Sequence, residues 1–187
     1  MEMIIGEVAS FTLTAEEPST LGDLLAAGKK LPPEATALLM QDHAEVKAMF
    51  LQYDLESDEE VKATLANKIC LALTVHAQVE EEMFYPEAGK ALEDDELITE
   101  AVEEHGEMKE QIAKIVEGIA AGKSVTRPLK KLMQLVEHHV KEEETEMFPD
   151  MRQTEVDLYE LGGRMAARRV EVLLTLRAEA EAAQVKA

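Results

Sequence analysis

Two phrases of this chain nearly repeat each other: "HAQVEEEMFYP", from His76 to Pro86, and "HVKEEETEMFP", from His139 to Pro149. Each begins with histidine, carries Glu-Glu at the fourth and fifth following positions, and reaches proline at the tenth. Both sit in segments whose apolar residues recur at steps of three and four, the spacing of one helix face. Leu65, Ile69, Leu73, His76, Glu80 and Met83 share one such face, and Leu129, Leu132, Val136, His139, Glu143 and Met147 share the other. Histidine and glutamate therefore lie on stripes that have to be buried, and few folds can accept that.

The same periodicity organises the rest of the chain. After Pro32-Pro33, a helix over about 34–54 places Leu39, His43, Val46 and Phe50 on one face. Ser57 and Glu60 have the spacing of a capping box for the second helix, and Pro86 is expected to end it. A third helix aligns Ile98, Val102, His105, Met108, Ile112, Ile115 and Ile119, with Gly122 as its C-cap. A fourth opens near Thr126-Arg127-Pro128 and stops before Pro149. Short connections make neighbouring helices antiparallel, so the fold class is all-α: an up-down-up-down four-helix bundle over residues 34–150. Residues 1–33 read as an irregular N-terminal arm. Residues 151–187 read as an additional C-terminal helix, capped by Thr154 and running to about 184, in which Gly162-Gly163 permits a close crossing or a kink.

All four bundle helices thus bring a histidine onto the core stripe: His43, His76, His105 and His139. His43 and His76 are 33 residues apart and His105 and His139 are 34, so the chain reads as a duplicated helical hairpin. Glu80 and Glu143 follow their histidines by one turn, on the same face. An ionised carboxylate in an apolar core costs several kcal/mol unless it is paired or coordinated, and two facing carboxylates would force one to protonate. Two metal ions would remove both difficulties, because they balance the carboxylates and accept neutral imidazoles. Two six-coordinate ions offer about twelve positions. Four imidazoles, two bridging glutamates and a shared oxide or hydroxide leave about two open, for water or an exogenous ligand. Imidazole and carboxylate without thiolate suit iron, manganese or zinc and exclude an iron–sulfur cluster.

Composition narrows the function classes. There are 19 basic residues against 39 acidic, a formal net charge of -20, and such a surface repels nucleic-acid backbones and anionic membranes. Cys70 is the only cysteine, so no disulfide framework exists; within "NKICLALTV" it reads as a small buried residue. The N-terminus lacks the basic and apolar regions of a secretory leader, and no run approaches the ~20 apolar residues of a membrane span. The expected location is cytoplasmic.

These residues resemble the hemerythrin-like family of HHE cation-binding bundles. The resemblance covers about residues 34–150 and is carried by "QDHAEVKAMF", "HAQVEEEMFYP", "EEHGEMKEQI" and "HVKEEETEMFP" in order. It implies a cofactor of two non-haem iron ions bridged by two carboxylates and a solvent-derived oxygen. His43 and His76 would serve one iron, His105 and His139 the other, and Glu80 and Glu143 would bridge them. The implied partner is a small diatomic or peroxide ligand; the alternative is an iron or oxygen sensor that signals through metal-dependent bundle stability. The oxygen-carrying members have a second histidine where this chain has Lys109, and a His-x-x-x-x-Asp step where it has His139-x-x-x-Glu143. The five-histidine carrier site is therefore not reproduced. The extra histidine and N-terminal cysteine typical of the iron–sulfur-repair branch are also missing, and the His-x-x-x-Glu order is the reverse of the ferritin-like step. Five residues keep open roles. His138 lies beside the site or serves as a fifth ligand. Glu81 and Glu144 support the site from outside or fill an open metal position. Tyr53 and Tyr85 pack or hydrogen-bond to bound oxygen.

Overall fold

A computed structural model of the chain describes residues 33–185; the arm expected over residues 1–33 lies outside them apart from Pro33. Among the described residues every regular element is helical. Helix α1 spans Ala35–Leu55, α2 Glu59–Val79, α3 Tyr85–Leu92, α4 Asp95–Ala120, α5 Thr126–Glu142, α6 Phe148–Met151 and α7 Leu158–Val185. The all-α expectation, with an extra C-terminal helix, is met.

Local chemistry sets the helix ends, though not always through the expected residues. The α2 cap is Asp58, whose carboxylate accepts from the backbone N–H groups of Glu60 and Val61 at 2.9 and 3.2 Å, so the Ser57–Glu60 box does not form. Asp157, rather than Thr154, caps α7 by accepting from Tyr159 and Glu160. Thr154 instead donates to the Met151 carbonyl. A carboxylate at this position adds a favourable interaction with the helix dipole to the hydrogen bond itself. Gly122 does follow α4 with φ of 61°, as a C-cap glycine should.

Neither Pro86 nor Pro149 ends its helix, contrary to expectation. Between α2 and α3 the residues Glu80–Phe84 form a π-turn, and between α5 and α6 the residues Glu143–Met147 form another. In each, a backbone N–H reaches five residues back: Tyr85 to the Glu80 carbonyl, Phe148 to the Glu143 carbonyl. The widened turn relieves the clash between a proline ring and the carbonyl four residues earlier, so the rods continue past both prolines.

Two apolar clusters fill the bundle, one at each end. Along α1 the chain passes from Leu39 in the second cluster, through His43, to Val46 in the first. Helix α2 runs the other way, from Leu73 through His76 to Val79; α4 passes from Ala101 through His105 to Met108, and the last rod from Val136 in α5 past His139 to Met147 beyond it. This alternation is the up-down-up-down order, and it puts all four histidines at the seam between clusters. Val102, expected on the buried stripe of α4, is exposed. Cys70 is buried in the first cluster, which pushes its thiol up to about 12.

Helix α7 packs across α1 and α2, with Leu161 and Met165 entering the second cluster. The crossing is close at Gly162, where a Cβ would collide with the Pro33 carbonyl oxygen and come within 2.8 Å of the Ala35 nitrogen. Of the two expectations for Gly162-Gly163, the close crossing holds.

Candidate metal centre

Each of the four core histidines points its Nε2 into the seam. His43 and His76 bring their Nε2 atoms to 3.1 Å, and His105 and His139 do the same at 3.1 Å. The two glutamates join the pairs. Glu80 Oε2 lies 3.1 Å from His76 Nε2 and 3.4 Å from His105 Nε2; Glu143 Oε2 lies 3.3 Å from His43 Nε2 and 3.6 Å from His139 Nε2. Each carboxylate therefore touches one histidine of each pair, the placement a bridge requires. All six side chains are buried, the least of them only 6% exposed.

Without a cation this arrangement is poorly satisfied. Both oxygens of Glu80 and the Oε2 of Glu143 are buried and accept no hydrogen bond. Burial first, and then the Glu143 carboxylate, push the Glu80 carboxyl well above its usual range. Burial also opposes ionisation of Glu143, but His139 and His43 outweigh it and hold that carboxyl below the usual range. His43 and His139 are raised in turn, since their carboxylate neighbours overcome burial, whereas burial takes His76 down to about 4. Orphaned carboxylate oxygens facing converging imidazole nitrogens are what a pair of cations would satisfy. The donor set fits metal.

The outer face of each imidazole is held as well. Nδ1 of His43 meets Glu144 at 2.9 Å, that of His105 meets Glu81 at 2.9 Å, and that of His139 meets Glu104 at 2.7 Å. His76 Nδ1 lies 3.5 Å from Asp42, too long for a hydrogen bond, although the pair remains in electrostatic reach. Such partners orient the ring so that Nε2 faces the metal. Glu81 and Glu144 therefore support the rings from outside. The hydrogen bond from His105, followed by Lys109, holds the Glu81 carboxyl down to about 2 despite burial. Asp42 and Glu104 were not singled out from the sequence. Their signal was position: each directly precedes a site histidine, His43 or His105, in the two halves of the duplication.

His138 stands outside the cluster with 59% of its side chain exposed, 3.3 Å from both Glu104 and Glu142. It is beside the site, and only from His139 does the repeat register reach the core. Tyr53 is remote, packed in the first apolar cluster with its hydroxyl 3.3 Å from Thr126. Tyr85 reaches the centre: its hydroxyl donates to Glu143 Oε1 at 3.0 Å. Burial, followed by the Glu143 and Glu80 carboxylates, pushes its ionisation well above the usual range, so here it is a phenol.

A cavity of ≈ 20 Å³ opens on the four imidazoles, walled otherwise largely by apolar side chains such as Val46, Leu73, Ile112 and Val136. About 10–15 Å³ accommodates one water-sized molecule. The space suits something very small.

A helical bundle whose seam is lined by four histidines and two glutamates is a cation-binding bundle. The family model described as the hemerythrin HHE cation binding domain matches residues 34–151, well over half the chain, and the chain belongs to that family. No curated protein and no solved structure matches it significantly.

Proposed function

We propose that the chain is a cytoplasmic, non-haem di-iron protein that binds or reacts with oxygen, nitric oxide or peroxide. The observation that carries this reading is the pair of opposed imidazole sets joined by two carboxylates, with a cavity of ≈ 20 Å³ against them. His43 and His76 would hold one ion, His105 and His139 the other, and Glu80 and Glu143 both. Bound there, iron supplies Lewis acidity and electrons to a diatomic or peroxide ligand; manganese or zinc would supply the Lewis acidity. The protein's own part is selection and insulation. Apolar walls exclude bulk water and anything larger than a few atoms, and the outer carboxylates keep the imidazoles aimed inward. The small ligand is the expected partner, since a net charge of -20 opposes nucleic acid and anionic membrane. No described helix is long and apolar enough to cross a membrane.

Elemental analysis should find two irons per purified chain, and spectra should change when oxygen, nitric oxide or peroxide is added. His76→Ala and Glu143→Ala should each lose metal. Stoichiometric iron retained in both variants would refute the ligand assignment.

One observation favours the sensor reading. Arg169 on α7 binds Asp42 Oδ1 at 2.7 Å, and Asp42 faces His76, so the C-terminal helix touches the support of a site histidine. On this reading metal loss loosens α7. Amide exchange in α7 that is identical with and without metal would rule it out.

A further inference from the structure

Tyr85 and Phe148 occupy the same place in the two repeats, nine residues after His76 and His139 and just past the two π-turns. Only one carries a hydroxyl. The Phe148 ring lies parallel to His43, at 10° and 5.8 Å between centroids. The Tyr85 ring is tilted 34° from His105, and its Oη lies 3.2 Å from His105 Nε2 and 3.4 Å from His139 Nε2. Those two nitrogens are themselves 3.1 Å apart. Two donor atoms each about 2.1 Å from one ion lie roughly 3.0 Å apart at right angles and roughly 3.4 Å apart in a tetrahedron. The triangle of Oη and the two Nε2 atoms has the edges of a shared coordination sphere.

The two poles also differ in what they supply. At one, His43, His76, Glu80 and Glu143 bring four donor atoms within 4.8 Å of one another; at the other, only Glu80, His105 and His139 do. Tyr85 Oη adds a donor at this second pole, beside the carboxylates that reach it.

We propose that Tyr85 Oη is a direct ligand of the ion held by His105 and His139, so that exogenous ligand is taken up only at the His43–His76 pole. The proposal rests on the di-iron reading. On binding, the phenol O–H bond breaks, the proton leaves to solvent and the Oη–metal bond forms; no electron is transferred. Glu143 Oε1 loses its hydrogen bond from Tyr85 and becomes free to coordinate. The open pole is then the one flanked by the Phe148 ring, which offers no competing donor.

The test loads the full chain with iron and oxidises it to the ferric state. A phenolate on ferric iron gives an intense visible charge-transfer band and enhanced tyrosinate modes in resonance Raman spectra, whereas a phenol that only hydrogen-bonds to Glu143 gives neither. The expected result is both signals in the native chain and their loss in Tyr85→Phe. Azide, as the probe, should bind once per native chain and twice per Tyr85→Phe chain. Two irons without the tyrosinate modes would overturn the proposal and leave the di-iron reading standing; a chain that takes up no iron would sink both. Should Tyr85→Phe fail to fold, the Raman spectrum of the native chain decides alone.

Discussion

The two halves of the bundle agree at the centre and diverge one step outside it. Each half supplies two inward imidazoles and one inward carboxylate, with each imidazole backed by an outer carboxylate. Around the first half's imidazoles, His43 and His76, the outer carboxylates are themselves held by fixed cations: Lys47 lies 3.7 Å from Glu144, and Arg169 lies 2.7 Å from Asp42. Around the second half's imidazoles, His105 and His139, Lys109 donates to Glu81, but among the described residues no lysine or arginine pairs with Glu104, which faces His138 and Glu142 instead. Phe148 stands in one half where Tyr85 stands in the other. Side chains that must meet in a dry seam have no freedom to vary, because an unmatched buried carboxylate costs several kcal/mol. Groups nearer solvent can exchange one partner for another at a cost of about 1 kcal/mol or less.

The largest expected effect tests what the halves share. Removing metal with a chelator should lower the melting temperature by roughly 10 °C, the range expected when a ligand present far above its dissociation constant is lost. A calorimetric scan unchanged by chelation would break the claim that both halves depend on the same ions. Gly162→Ala then tests whether α7 belongs to the first half alone. Its methyl would collide with the backbone around Pro33–Ala35, costing roughly 1–3 kcal/mol. Amide exchange should quicken in α7 and the start of α1 while α4 and α5 stay protected; uniform loosening would erase the distinction.

Smaller effects probe the outer partners. Arg169→Ala should weaken metal affinity about tenfold in a competitive chelator titration, since the support of a ligating histidine is worth roughly 10- to 100-fold. Lys109→Ala should cost less, because half of that side chain is exposed, 51%, and water can replace it. Equal losses would mean that the halves are anchored alike. His138→Ala should leave metal content unchanged and shift stability by no more than about 0.5 kcal/mol. A metal loss comparable with that of His139→Ala would return His138 to the site.

Much of this was legible in the chain itself, and the misses share a cause. The apolar periodicity carried four helices and their direction, and the register from His to Pro separated His139 from His138. The π-turns left no such trace. "EEEMFYP" reads as a helix approaching a proline stop, and the slip to a five-residue hydrogen bond depends on what the widened turn packs against. Asp42 and Glu104 went unnoticed for a related reason: a carboxylate beside a histidine in sequence points to another helix face and finds its imidazole on a neighbouring rod. Asp42 faces His76 and Glu104 faces His139, each across a helix boundary.

By itself, then, the sequence determined the all-α class, the duplication and the six inward side chains, because helical spacing converts residue number directly into a face. Only the tertiary structure decided which carboxylate backs which imidazole, that the rods continue past both prolines, that α7 reaches the centre through Arg169, and that Tyr85 rather than Tyr53 stands at the histidine–glutamate cluster. Those are relations between different helices. Spacing along one strand of chain cannot encode them, whereas interhelix distances of 3–4 Å can.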